Sequence, residues 1–237
     1  MLLALIAASL ILYGMYFILL GNVKDLAIGF MGNFAFLPVY VIIVTLMIER
    51  VLKERERQTL MRKLNMVIGV FFSEVGNRLL KELSAYVVSC EVLKSHLLVS
   101  GTWKQIEYQE ALEYLQKCTI IIDSNNCDKN DLKGFLVEKR SFLVGLLENQ
   151  NLLEHEEFTD LLWAVFHLVE ELEARKTFDD MPLSDIEHIN GDIKRVFGHL
   201  SRQWVKYMRH LKHDYPYLFS LAVRMNPMVD ESDPAVY

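Results

Sequence analysis

Val41-Ile42-Ile43-Val44-Thr45-Leu46-Met47-Ile48 runs straight into Glu49-Arg50-Val51-Leu52-Lys53-Glu54-Arg55-Glu56-Arg57, and the reading of that junction decides the fold. On its N-terminal side, residues 1–48 hold two charges, Lys24 and Asp25. Beyond it lie 24 of the 25 Lys+Arg and 30 of the 31 Asp+Glu, so the formal net charge of −6 belongs to the second part alone. A membrane portion is thus joined to a soluble one. Leu2 to Leu20 is 19 uncharged residues, about 28 Å of helix, and Leu26 to Ile48 is 23, about 35 Å, against a hydrocarbon core of roughly 30 Å. Gly21-Asn22-Val23-Lys24-Asp25 between them allows only a tight hairpin, which predicts two antiparallel spans.

A cleaved signal peptide is not expected: no Lys or Arg precedes Leu20 and no small-residue cleavage pattern follows it. Arg50, Lys53, Arg55, Arg57, Arg62 and Lys63 follow the second span, against Lys24 alone in the hairpin. The positive-inside rule then places both termini in the cytoplasm of a multi-pass inner (cytoplasmic) membrane protein. Ala4 with Ala8, and Gly29 with Gly32, are small residues suited to close helix approach. Asn33 is the one strongly polar side chain in the spans, and Pro38 removes a backbone donor from the second. No intramembrane Asp, Glu, Lys, Arg or His marks an ion pathway.

Between Pro38 and Pro182 there is no proline, and apolar positions recur at three and four, which predicts helices throughout. A juxtamembrane helix over residues 49–82 continues the second span, with a stripe of Leu60, Leu64, Ile68, Phe71, Val75 and Leu79. Capping boxes are read at Thr102-Trp103-Lys104-Gln105 and Ser184-Asp185-Ile186-Glu187. Helices are placed from there to Cys118, over Asp131–Glu148 and Glu156–Lys176, along the stripe Ile186 to Leu211, and after Pro216. Residues 119–129 stay open between strand, helix end and loop. Trp103, Trp163 and Trp204 are expected in the core. The fold class is therefore all-α: residues 1–48 a transmembrane helical hairpin, 49–225 a cytosolic multi-helix bundle, 226–237 a disordered tail.

Residues 146–180 are acidic and residues 193–213 basic, so mutual pairing or solvated faces are expected and nucleic acid is not. Cys90, Cys118 and Cys127 have no CxxC spacing and read as reduced, small core hydrophobes. Phosphate-cradling and nucleophile-elbow motifs are absent. His155-Glu156-Glu157-Phe158-Thr159 lacks the second histidine of HExxH, and Asp123-Ser124-Asn125 leads into Cys127 and Asp128 where a calcium loop needs an oxygen ligand and glycine. The remaining metal candidates are histidines followed by a carboxylate one turn on: His167 and Glu171, His188 and Asp192, His210 and Asp214. Spacing of four puts each pair on one helix face, from which facing helices could converge on an ion, as in di-iron bundles. The Glu-x-x-His signature of that class is absent. His167, within Trp163-Ala164-Val165-Phe166-His167-Leu168, reads more simply as a hydrogen-bonded core histidine.

Lys63-Leu64-Asn65-Met66-Val67-Ile68-Gly69-Val70-Phe71-Phe72-Ser73-Glu74-Val75-Gly76 and Tyr215-Pro216-Tyr217-Leu218-Phe219-Ser220-Leu221-Ala222, with Arg224, Asn226 and Pro227, resemble a family of uncharacterised prokaryotic membrane proteins. The resemblance implies an N-terminal helical hairpin, a helical cytosolic region and a bacterial or archaeal source, and no activity. The function expected is a membrane-anchored interaction or sensing module without catalysis or cofactor. Its partners are the lipid bilayer and a protein partner or second copy. The alternatives are a metal-dependent helical-bundle enzyme and a small oligomeric channel or transport accessory.

Overall fold

The computed structural model describes residues 2–20, 23–88, 90–124, 128–150, 152, 155–229 and 231–235. Among these it is helical, with a single isolated β-bridge between Val87 and Ile122. The chain divides into two compact units, residues 1–59 and 60–237. Charge alone sets a boundary at residue 48/49, but the buried core of the second unit starts later, at Leu64.

The first unit holds α1 (Leu2–Leu20) and most of α2 (Val23–Phe71), a helix of 49 residues that carries Pro38 inside it. One helix, beginning at Ala27, is long and apolar enough to cross a membrane, and α1 contributes a shorter apolar stretch, Ile6–Leu19. The two pair antiparallel: the Tyr13 ring meets Phe30 edge-on at 6.3 Å, and Tyr16 Oη comes to 3.9 Å from where a Gly29 side chain would begin. Gly29 thus serves close approach, whereas Gly32 faces open space. Asn33 Nδ2 donates to Tyr13 Oη at 3.4 Å, which gives its polar group a packing role. The Ala4 side chain and Gly21-Asn22 lie outside the described residues.

In the second unit the stripe read from Leu64 to Leu79 becomes core: Leu64, Ile68, Phe71, Phe72, Val75, Leu79, Leu80 and Leu83 are buried. Two rows spaced by four, one through Leu64, Ile68, Phe72, Gly76 and Leu80, the other through Phe71, Val75, Leu79 and Leu83, would drift about 40° per step in a regular helix. A π-helical turn at Phe72–Gly76 takes back part of that drift, and α3 (Asn77–Ser84) continues on the same face. The turn seats two consecutive phenylalanines. Phe71 stands edge-on to Phe158 at 5.3 Å, and Phe72 stacks on Tyr207 at 4.8 Å beside Trp204. A Cβ on Gly76 would lie 2.6 Å from Phe72 Cδ1 and 3.0 Å from Phe71 Cε1, so glycine is required there by space.

After α4 (Cys90–Ser95) come α5 (Gln105–Lys117), α6 (Lys129–Glu138), α7 (Arg140–Leu147), α8 (Glu156–Ala174), α9 (Leu183–Asp214) and α10 (Pro216–Arg224). The 32-residue α9 is the centre: it packs against α8, α5, α10 and α3, while α6 and α7 cover α8. Its inward stripe, Ile189, Ile193, Val196, Phe197, Leu200, Trp204, Met208 and Leu211, is fully buried.

Several local expectations are corrected. The helix read over Asp131–Glu148 is two, broken at Lys139, and starts at an Asp128 cap whose Oδ1 accepts from Asn130 N at 2.8 Å. Neither capping box forms as read. Thr102 turns back to Ser100 Oγ, the cap moves to Lys104, and the Glu107 carboxylate takes its backbone N–H. α9 already begins at Leu183, with Pro182 as an N-cap that offers no side-chain bond, so Ser184 falls inside the helix. Ile120–Ile122 does find a partner, since Val88 N donates to Ile121 O and Asp123 N to Tyr86 O, but only one bridge's worth. Trp204 is buried and Trp103 packs on the core, yet Trp163 is 56% exposed on the outer face of α8. Asn226 and Met228, assigned by the sequence to a disordered tail, are buried: Asn226 Nδ2 donates to Leu97 O at 3.0 Å and its Oδ1 accepts from Met228 N.

Candidate metal centre

α8 and α9 each carry a histidine with a carboxylate one turn later, and their packing brings the two pairs together. His167 Nε2 lies 3.7 Å from Glu171 Oε1 and 3.6 Å from Asp192 Oδ2. His188 Nε2 lies 3.5 Å from Glu171 Oε2 and 3.4 Å from Asp192 Oδ2. One donor atom from each of the four residues fits within 4.8 Å of the others. The imidazoles stand perpendicular, centroids 6.5 Å apart. The Asp192 side chain is 2% exposed and forms the floor, while His167 at 43% and His188 at 49% reach solvent. His167 is therefore not the core histidine its apolar neighbours suggested: the α8 core face is Leu161, Leu162, Val165, Leu168, Val169 and Leu172, and His167 sits at its edge.

Two arginines hold the carboxylates. Arg175 donates to Glu171 Oε2 at 2.6 Å and to both Asp185 oxygens, at 2.5 and 3.1 Å. Its guanidinium, with His188 beside it, keeps the Glu171 carboxyl below the usual carboxylate range against the opposing effect of burial. Arg175 in turn is pushed above its ordinary value, first by Asp185 and then by Glu171. Arg195 donates to Asp192 Oδ1 at 2.8 Å. The other oxygen, Asp192 Oδ2, is buried with no hydrogen-bond partner. Arg175 and Arg195 were not singled out in the sequence, although each follows its acid by four or three residues.

The third pair goes elsewhere. His210 Nδ1 and Asp214 Oδ2 close on each other at 2.7 Å, with Asn65 Nδ2 3.1 Å from the same nitrogen, in a cleft of about 330 Å³ also lined by Gln203, Tyr207 and His213. Burial lowers the His210 pKa although Asp214 opposes it, and His213 lowers the Asp214 carboxyl. Of the expected pairing between acidic and basic helices, Glu157 with Lys206 forms, while Arg140 of α7 meets Glu170 and Glu173 on the outer side of α8. Lys194, Arg195, His199 and Arg202 line a shallow surface beside Cys118. Burial raises the Cys118 thiol; Cys127 and the Cys90 side chain lie outside the described residues, as do Asn125 and Asn126 of the failed calcium loop.

These features define an all-helical protein in two parts, an apolar N-terminal helical unit and a larger helical domain with a histidine–carboxylate cluster between its two longest-packed helices. The chain belongs to the MJ1433 family: residues 1–52 match "MJ1433, N-terminal helical domain" and residues 60–224 match "Uncharacterized protein MJ1433, C-terminal helical domain". It is similar to the "Uncharacterized protein MJ1433" of Methanocaldococcus jannaschii, 40% identical over 228 residues, which are 96% of this chain and 92% of that relative. No solved structure matches the chain.

Proposed function

We propose that the protein is anchored in the cytoplasmic membrane by two spans, α1 and the N-terminal part of α2, and presents its helical domain to the cytosol as an interaction or sensing module without catalysis of its own. The observation that carries this reading is the change in exposure along the chain. Leu10, Ile18, Leu19, Ile28, Phe34, Ile42 and Met47 are all exposed, whereas Leu64, Ile68, Phe71, Phe72, Val75 and Leu79 on the continuing helical run are buried. A contiguous apolar surface of that size needs a partner, and lipid is the one that fits an uncharged helix of this length. The cationic residues after Ile48 favour the cytosolic orientation, and a protein partner or second copy would meet the domain.

A metal-dependent enzyme draws support from the convergence of His167, Glu171, His188 and Asp192. Four protein ligands would, however, fill a tetrahedral shell, whereas catalytic zinc sites leave a position open for water. That favours a sensing or structural role over turnover. The test is fractionation of cells expressing the full chain with a tag after Tyr237. The protein should stay with membranes through an alkaline carbonate wash, and the tag should be cut by protease only after the membrane is breached. Release into the aqueous fraction, or cleavage of the tag in intact cells, would overturn the reading.

A further inference from the structure

We infer that His167, Glu171, His188 and Asp192 form a closed, four-ligand site for a zinc-class dication that ties α8 to α9. The inference stands on the helical domain alone and does not depend on the membrane reading. It starts from distances. Metal–nitrogen and metal–oxygen bonds of about 2.0–2.2 Å in a tetrahedron give ligand–ligand edges of roughly 3.3–3.6 Å, while octahedral neighbours sit near 3.0 Å. The histidine nitrogens lie 3.4 and 3.6 Å from Asp192 Oδ2 and 3.5 and 3.7 Å from Glu171, His188 facing its Oε2 and His167 its Oε1, and one donor atom from each residue fits within 4.8 Å of the others. Charge-assisted hydrogen bonds between such groups run at about 2.7–2.9 Å, so these contacts are too long for strong ion pairs and close to the spacing of a coordination tetrahedron.

The second observation is Asp192 Oδ2. A carboxylate oxygen taken out of water without a partner is costly, and buried polar atoms are nearly always satisfied. This oxygen is buried, unpartnered, and faces both imidazoles. Its twin Oδ1 is held by Arg195, and Arg175 holds Glu171 through Oε2, the oxygen nearer His188, so each carboxylate is oriented by a guanidinium. Outer-shell donors of this kind fix metal ligands in place. Two carboxylates also balance a dication. Imidazole with carboxylate selects a borderline ion over magnesium, which prefers an all-oxygen octahedron, and over soft copper(I), which prefers sulfur. The half-exposed histidines leave a route in from solvent, with Asp192 beneath them.

The consequence is mechanical. One pair of ligands comes from each helix, so the ion cross-links the α8–α9 interface at its polar edge and stabilises only the state in which the two helices are packed. The experiment uses the full chain in detergent micelles, stripped with a chelator and titrated calorimetrically with zinc, manganese or magnesium chloride. One equivalent of zinc should bind, raise the melting midpoint read by tryptophan fluorescence, and lose both effects on adding chelator, with magnesium inert. Asp192→Asn and His188→Gln should each weaken zinc at least tenfold, and His210→Gln should leave it unchanged. His167→Gln, at a half-exposed position, gives a third variant that keeps the fold. Failure to bind zinc, preference for manganese, or zinc binding unchanged in His167→Gln and His188→Gln would overturn the assignment.

Discussion

Phe36 and Phe72 are the same side chain in the same continuous run of helical chain, yet one is 60% exposed and the other fully buried. The pair teaches that apolar content alone does not decide whether a helix face is exposed or buried in a protein core; the company of charge separates the two. Around Phe36 there is no charge from Ala27 to Ile48, and the helix is greasy on every side. Around Phe72 the apolar residues fall in rows, with Glu74, Arg78 and Lys81 on the outward side.

The sharpest way to break this contrast is to truncate both rings. All three tryptophans lie between residues 103 and 204, so tryptophan fluorescence reports on the helical domain alone. Phe72→Ala is expected to cost the domain about 3–5 kcal/mol, because it empties a cavity against Trp204 and Tyr207. Phe36→Ala should leave the same denaturation curve unmoved. Equal effects would mean that the two regions are not distinct packing environments.

The glycines offer a smaller version of the same comparison. Gly76→Ala drives a methyl group into two rigid, buried rings and is expected to destabilise by about 1–3 kcal/mol, whereas Gly32→Ala meets nothing within 4 Å. The same melts measure both. A neutral Gly76→Ala would show that the π-helical turn can relax.

The smallest expected effect is pH dependence confined to the second unit. Burial lowers both His199 and His210, so the unfolded chain takes up protons first as pH falls. By linkage their contribution is fully present above about pH 6.5 and is lost as pH drops through the lower folded values. The melting midpoint should therefore decline from about pH 7 toward pH 5, and His210→Gln should flatten that decline. The residues that face His210 are Asp214, His213, Asn65 and Tyr215. A midpoint that rises on acidification would contradict the direction given to both groups.

Much of this was legible in the residues. The helices of the second unit, the stripe from Leu64 to Leu79 and the long stripe of α9 follow from spacing, because burying a face demands a period near 3.6. Breaks and caps were harder: at the Lys139 break the ammonium meets distant Glu74 at 3.3 Å, and just before the shifted cap Lys212 Nζ donates to the Gly101 carbonyl at 2.7 Å. At the site, three identical His–carboxylate spacings were readable, but which of them converge was not. His210 and Asp214 satisfy each other within one helix, while His167 and His188 find each other only because α8 packs on α9 in one register. Tyr13, the acceptor for Asn33, was likewise beyond any local pattern.

Asn226 has a practical consequence for anyone handling the chain. Its amide fastens the C-terminal segment to the Leu97 carbonyl, 129 positions upstream, and its own oxygen steadies Met228. Trimming the polypeptide at Arg224 would take the Asn226 amide from the Leu97 carbonyl, leaving it to Val99 N, and bare the hydrophobic seat of Met228, so a fusion partner belongs after Tyr237.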